Sequence, residues 1–189
     1  MKLLSFIRLG KTGFGAVVDN GIIDLTGKID PDVNTIKELI SLNMEDQAEE
    51  YIEGKTKDLS FSDISFLPVI PDPEKIMCIG LNYLEHKKET GRPDVDNPTI
   101  FTRFADSQVA HLQPMIKPDN SDRFDYEAEM AIIIGKGGRF ISEDEALNHI
   151  AGYACYNDGS IRNYQRHTSQ FTPGKTFPGT GGFGPYMVT

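Results

Sequence analysis

Three acidic residues at spacing two, Asp125, Glu127 and Glu129 in the stretch FDYEAEM, lead straight into the apolar run 131–134. Successive side chains of a strand point to opposite faces, so these carboxylates are expected on one side of a sheet. Like charges that close repel, and the entrance to a core is a costly place for them unless a cation neutralises them. Glu127 and Glu129, joined by Asp158 at the end of a second strand-like run, make a set of oxygen donors suited to a hard divalent ion such as Mg²⁺, Mn²⁺ or Ca²⁺. The plainer alternative is a solvated strand face whose acids happen to alternate.

Helical spacing supplies a second pair. His86 and Glu89 in EHKKE stand at i and i+3 and meet on one helix face. A glutamate there orients the imidazole and raises its basicity, which a general base needs to take a proton from water. The same stretch also suits a solvated surface helix of mixed charge. His111, His149 and His167 have no comparable partner and read as structural or exposed. Arg162 and Gln165 lie four and seven residues after Asp158, so a helix starting there aims both toward one site. Lys175, in the loop PGKTFPG, is placed either to stabilise an anionic intermediate or simply to be solvated. A divalent ion leaves three carboxylates with one net negative charge. Lys175 and Arg162 turn that positive, as a small carboxylate substrate requires.

These residues need a framework that is mostly β. Residues 2–25 alternate short apolar runs with turns, and Asn20-Gly21 between two of them signals a hairpin. Residues 33–54 change to helical period through Ile36, Leu39 and Ile40. The polar connector 60–73, closed by Pro68, Pro71 and Pro73, predicts a boundary near residue 70. Beyond it KIMCIGL reads as a buried strand, 83–90 as a short helix, 99–104 and 115–116 as strands, and 127–134 as the strongest strand. A capping box, Ser142-x-x-Glu145, predicts a helix through Ala146, Leu147 and Ile150 that Gly152 ends. GYACYND is then a strand, 163–168 helical, and 172–185 a Gly/Pro-rich loop. The expected class is α+β around a mostly β core, with 1–70 a small β-rich domain and 71–189 the domain that carries the chemistry. Within the last loop, GTGGFG matches the G-x-G-x-x-G dinucleotide string. Pro178 and Pro185 bracket it and no strand precedes it, so a nucleotide site is set aside.

Composition excludes several partner classes. A net charge of −9, a pI near 4.9 and the lack of any Lys/Arg run argue against nucleic acid and anionic membranes. No segment has the uninterrupted apolar length of a membrane span. Cys78 and Cys155 have no CxxC partner and sit in strand-like runs, so both are expected to be buried small apolar residues in a reducing, by default cytoplasmic, compartment.

The order of these motifs resembles the fumarylacetoacetate hydrolase family, in the two-domain form of many bacterial members. KIMCIGLNYLEHKKETG (75–91), NPTIFTRF (97–104), FDYEAEMAIIIGK (124–136), ISEDEALNHIAGYACYNDGSIRNYQ (141–165) and GKTFPGTGGFGPYMVT (174–189) carry the likeness. It implies a mixed β-roll preceded by a small β-rich domain, assembled as a homodimer. The implied activity is a divalent-metal-dependent hydrolase cleaving a C–C bond in an acylpyruvate- or fumarylpyruvate-like 2,4-dioxo acid through a metal-held pyruvate enolate. Glu127, Glu129 and Asp158 would be the ligands of Mg²⁺ or Mn²⁺, with Ca²⁺ in some members. His86 and Glu89 would form a catalytic dyad on a lid segment, and Lys175 would face the enolate oxygen. Tyr83, Arg162 and Gln165 would line the pocket of a small anionic 2-oxo acid. The same enolate serves an oxaloacetate decarboxylase or a 2-hydroxyhepta-2,4-diene-1,7-dioate isomerase or hydratase. A truncated, non-catalytic paralogue is the remaining reading.

Two departures from the family pattern stand out. Members continue well past the position matching Thr189, so the likeness implies an incomplete roll with an open sheet edge and without a Gly/Thr-rich segment that grips the substrate. Gly159 and Ile161 stand where members often have Val and Ala.

Overall fold

The computed structural model describes residues 1–85, 88 and 96–189. Two tight hairpins open the chain: β1 (Lys2–Arg8) turns into β2 (Lys11–Val18), and β2 into β3 (Gly21–Asp24). The connecting pairs Leu9-Gly10 and Asp19-Asn20 all have positive φ, from 49° to 77°. Positive φ at both central residues gives the type I′ twist that matches paired strands. The second turn therefore falls one residue before the expected Asn20-Gly21, and Gly21 is already paired with Val18. α1 (Ile36–Ser41) is capped by Thr35, whose hydroxyl accepts from the Glu38 N–H at 3.1 Å, and α2 (Glu45–Ile52) follows.

The remaining strands are β4 (Ser65–Phe66), β5 (Ile76–Gly80), β6 (Thr99–Arg103), β7 (Gln108–Ala110), β8 (Phe124–Asp125), β9 (Ala128–Ile134), β10 (Ile150–Asp158), β11 (Ser160–Ile161) and β12 (Gly181–Val188). Two single-turn helices, α3 (Arg162–Gln165) and α4 (Thr172–Lys175), precede β12. Among the described residues the main sheet runs β3-β2-β1-β12-β10-β9, with β4 beside β1 and β7 parallel to β12. β5 pairs with β6, and β8 with β11, as two-stranded ribbons.

β1 explains how the sheet holds together. Its residues Leu3, Leu4, Ser5 and Phe6 are buried on both faces. Leu3 enters a core with Phe14, Leu39, Val69, Phe183 and Met187, while Leu4 and Phe6 enter another with Ile22, Leu59 and Phe66. Each such apolar side chain contributes about 1.5–3 kcal/mol by leaving water. One sheet and one core thus cross residue 70, because β1 is hydrogen-bonded to β12. The class is mostly β with brief helices, as expected.

Several local expectations are corrected. The 172–185 loop contains α4 and the first half of β12, the strand that joins the two ends of the chain. Its glycines hide it from period-based reading, yet Gly181 has no room for a side chain: a Cβ would stand 2.4 Å from the Tyr156 hydroxyl and 2.7 Å from Arg103 Nη2. Residues 115–116 form no strand, being flanked by Pro114 and Pro118, which lack N–H donors. The segment after Ser142 is a 3₁₀ helix, Glu143–His149, without a side-chain cap from Ser142. Ile150 and Gly152 already belong to β10, because the ladder to β9 claims them. β5 is covered on one face only, with Met77 and Ile79 largely exposed. Neither cysteine is fully buried: Cys78 is half-buried and Cys155 exposed. Among the described residues no helix is long and apolar enough to cross a membrane.

Candidate active site

The carboxylates are placed by the β9–β10 ladder. Ala128 lies opposite Asn157 and Glu129 opposite Tyr156, and the Asp158 N–H donates to the Glu127 carbonyl at 2.9 Å. Opposed residues of antiparallel strands share a face, so Glu127, Glu129 and Asp158 project from one side of the sheet. Asp125 does not join them. It lies in the β8–β11 ribbon, half-exposed, and its link to the group among the described residues is Arg162.

Three cations converge on these acids. Lys175, at the end of α4, is 1% exposed, and its Nζ donates to Glu127 Oε2 at 2.7 Å and to Asp158 Oδ2 at 2.5 Å. Pro173 and Gly174 shape the turn that delivers it; a Cβ on Gly174 would meet the Gln165 backbone nitrogen at 2.3 Å, so α3 and α4 are in close backbone contact. Of the two readings of Lys175, the solvated loop residue is excluded by this burial. Arg162, at the start of α3, donates from Nε to Asp125 Oδ2 at 2.9 Å and from Nη1 to Glu127 Oε1 at 2.5 Å and Gln165 Oε1 at 3.0 Å. The expected grouping of Arg162 and Gln165 is present in this contact.

The third cation, Arg103 at the end of β6, escaped the sequence reading. It is 2% exposed and donates to Asp158 Oδ1 at 2.7 Å. Its one sequence signal is an arginine closing the apolar strand TIFTR, which by itself names no partner. The Tyr83 hydroxyl accepts from the Met130 N–H at 3.2 Å and hydrogen-bonds Glu129, which places it at the rim. His86 and Glu89 lie outside the described residues.

Charge is distributed unevenly. Burial alone would push the Glu127 carboxyl up, but the Lys175 ammonium and the Arg162 guanidinium outweigh it and hold Glu127 below the ordinary carboxylate range. Glu129 is pushed the other way, by burial first and then by repulsion from Asp158 and Glu127. The Cys78 thiol is pushed up to about 12 by burial and then by Asp158, so it is no thiolate nucleophile. A polar cavity lined by Asp119, Ser121, Asp122, Arg123 and Asn163 lies apart from the three carboxylates.

Among the described residues no three acidic, histidine or cysteine side chains close on a common point as ligands do. The donor chemistry nevertheless fits a hard cation. Three carboxylates share a face, two of them already share one cationic atom, Lys175 Nζ, and Glu129 is left as the under-neutralised member.

The comparisons with known proteins identify the family and the fold. A family model described as "Fumarylacetoacetate (FAA) hydrolase C-terminal" matches residues 75–189. A Xenopus laevis protein named oxaloacetate tautomerase fahd2, mitochondrial, is 43% identical over 133 residues, which is 69% of this chain and 42% of that protein. A fumarylacetoacetate hydrolase from psychrophilic Exiguobacterium antarcticum superposes with a TM-score of 0.78 at 28% identity, covering 100% of this chain and 66% of the other. A maleylpyruvate hydrolase from Sphingobium sp. SYK-6, solved with manganese(II) and pyruvate, has the same fold, with a TM-score of 0.78 at 23% identity over 100% of this chain and 67% of its own. The match thus spans less than half of the Xenopus relative and about two thirds of the two solved chains. With a family model that matches residues 75–189, more than half of the sequence, the chain belongs to the fumarylacetoacetate hydrolase family.

Proposed function

We propose that this chain carries out enolate chemistry on a small 2-oxo dicarboxylate, with oxaloacetate the first substrate to test and keto–enol tautomerisation the reaction. The observation that carries this reading is the buried Lys175 ammonium, shared by Glu127 and Asp158 on the face that also bears Glu129. Tautomerisation moves a proton between C3 and the oxygen on C2, and negative charge collects on that oxygen in the enolate. Of the three N–H donors on Lys175, two are committed to carboxylates among the described residues, and the third is available for that oxygen. A preorganised donor at a developing oxyanion lowers the barrier by roughly 2.7–4 kcal/mol. Glu127, Glu129 and Asp158 would hold a divalent cation, Mg²⁺ or Mn²⁺, which supplies Lewis acidity and a template for the 2-oxo acid when bound. Arg162 fixes Glu127 and Gln165 at the edge of the pocket. His86, by residue type the base of the sequence reading, would take the proton from C3 and return it to the oxygen on C2. The name of the Xenopus relative supports tautomerisation, and the manganese and pyruvate bound in the Sphingobium structure support a divalent cation and a 2-oxo acid, although that protein's own name, a hydrolase, favours the second reading.

The sequence-level reading, hydrolysis of an acylpyruvate C–C bond, stands as the second. It is favoured by the His86–Glu89 pair, which suits activation of water, and by the name of the Exiguobacterium neighbour. Both are tested together by following oxaloacetate enol decay in the ultraviolet and acetylpyruvate cleavage by NMR, with Mn²⁺ and with EDTA. Enol decay above the buffer rate that EDTA abolishes, and that a Glu127→Ala, Glu129→Ala double variant lacks, supports the tautomerase. Normal turnover by the double variant rules out the carboxylate site for either reaction.

A further inference from the structure

We propose that Arg103 is a positioning residue that fixes the Asp158 carboxylate, and that the GTGGFG stretch set aside as a nucleotide string is the cradle that holds Arg103. This assignment rests on the proposed cation site and concerns one of its three acids. The Arg103 side chain is fully shielded from water, and Asp158 nearly so. Its Nη1 donates to Asp158 Oδ1 at 2.7 Å and to the Gly159 carbonyl at 3.1 Å. Nη2 donates to the Thr180 hydroxyl at 2.9 Å, and Nε to the Ser107 hydroxyl at 3.2 Å. Each hydroxyl is oriented in turn: Thr180 donates to the Phe177 carbonyl at 2.6 Å and Ser107 to the Phe104 carbonyl at 2.7 Å. The guanidinium is thus tied to three chain segments at once. Gly181 leaves it room, and the Tyr156 ring lies 5.8 Å from its centre.

Such an arrangement is expensive if stability is all it serves. Burying an arginine and an aspartate costs several kcal/mol per ion, and well-packed apolar side chains often do as well. Its distinctive product is geometric. The terminal torsion of an aspartate is broad and roughly two-fold, so a free carboxylate turns easily. With Oδ1 held by Arg103, the torsion is fixed and Oδ2 is the atom presented to the cationic occupant, here Lys175 Nζ. Lysine at 103 would keep the charge but lose the planar fork that reaches Asp158, Gly159 and Thr180 together.

The test is Mn²⁺ titrated into the EDTA-stripped chain, with free Mn²⁺ read by electron paramagnetic resonance and the fold by near-ultraviolet circular dichroism. Charge alone predicts that Arg103→Lys binds Mn²⁺ as the wild type does. Positioning predicts a folded variant whose affinity is roughly 10–100-fold weaker, the usual effect of losing a partner behind a ligand. Should Arg103→Lys not fold, Thr180→Val takes its place under the same criterion, since it keeps Arg103 and removes one anchor. A folded variant with wild-type affinity overturns the positioning role alone. A wild-type chain that binds no Mn²⁺, or a Glu127→Gln variant that binds it equally well, instead overturns the cation site on which the role depends.

Discussion

Replacing Lys175 by methionine removes a buried ammonium while keeping most of its apolar stem. The Lys175 side chain is 2% exposed, and its partners Glu127 and Asp158 are 18% and 6% exposed, so solvent screens these contacts weakly. Breaking a buried pair by deleting one partner costs about 3–5 kcal/mol. Glu127 keeps Arg162 and Asp158 keeps Arg103, which places the expected loss near the lower end, about 3 kcal/mol. For a chain of this size each kcal/mol lowers Tm by about 2–4 °C, so the variant should melt roughly 6–12 °C below wild type in EDTA. Mn²⁺ should then return most of that loss, because a cation at 100-fold excess over its Kd stabilises by about 2.7 kcal/mol and supplies positive charge where the ammonium was removed. Thermal melts followed by far-ultraviolet circular dichroism, with EDTA and with Mn²⁺, read both effects. A Tm in EDTA within about 2 °C of wild type, less than 1 kcal/mol on the same scale, would refute the reasoning.

Further expectations follow from the charge distribution and the packing. Glu129 has its folded pKa above the ordinary value of 4.5, so its charge penalises the folded state at neutral pH and the penalty vanishes below that value. Glu129→Gln should therefore raise Tm at pH 7 in EDTA, with the gain shrinking toward pH 4.5; a gain independent of pH contradicts the assignment. Glu127 has the opposite sign. Its contribution is present above 4.5 and lost as pH falls through its depressed folded pKa, so Glu127→Gln should lower Tm at pH 7 and matter least in acid. Gly159→Val brings in the residue many family members have, but here a Cβ would stand 2.1 Å from the Thr180 carbonyl oxygen. It should destabilise by at least about 1–3 kcal/mol, and a denaturant midpoint equal to wild type would show that the β10–β12 contact relaxes freely. His86→Ala should abolish acetylpyruvate cleavage while largely sparing cation-driven decarboxylation of oxaloacetate; equal loss in both assays removes the distinction.

The residues that could do chemistry were legible because they are local. Spacing two along one extended run puts Glu127 and Glu129 on one face, although Asp125 at the same spacing leaves it by pairing in the β8–β11 ribbon, and Arg162 and Gln165 share one turn of α3. The second hairpin was legible to within one residue for the same reason, since Asp and Asn tolerate positive φ, whereas the first turns through Leu9, which gives no such signal. What failed were judgements of environment. Lys175 in a Gly/Pro loop reads as functional or solvated alike until two carboxylates from other segments close over it, and β12 reads as a loop because its glycines record the neighbours they admit, with no periodicity of their own. Arg103 and Asp158 are 55 residues apart and meet only once β6, β10 and β12 are assembled. Side-chain direction along a strand or helix is set by backbone geometry within a few residues. Burial and charge pairing depend on which distant segments arrive, and that is decided only by the packed chain.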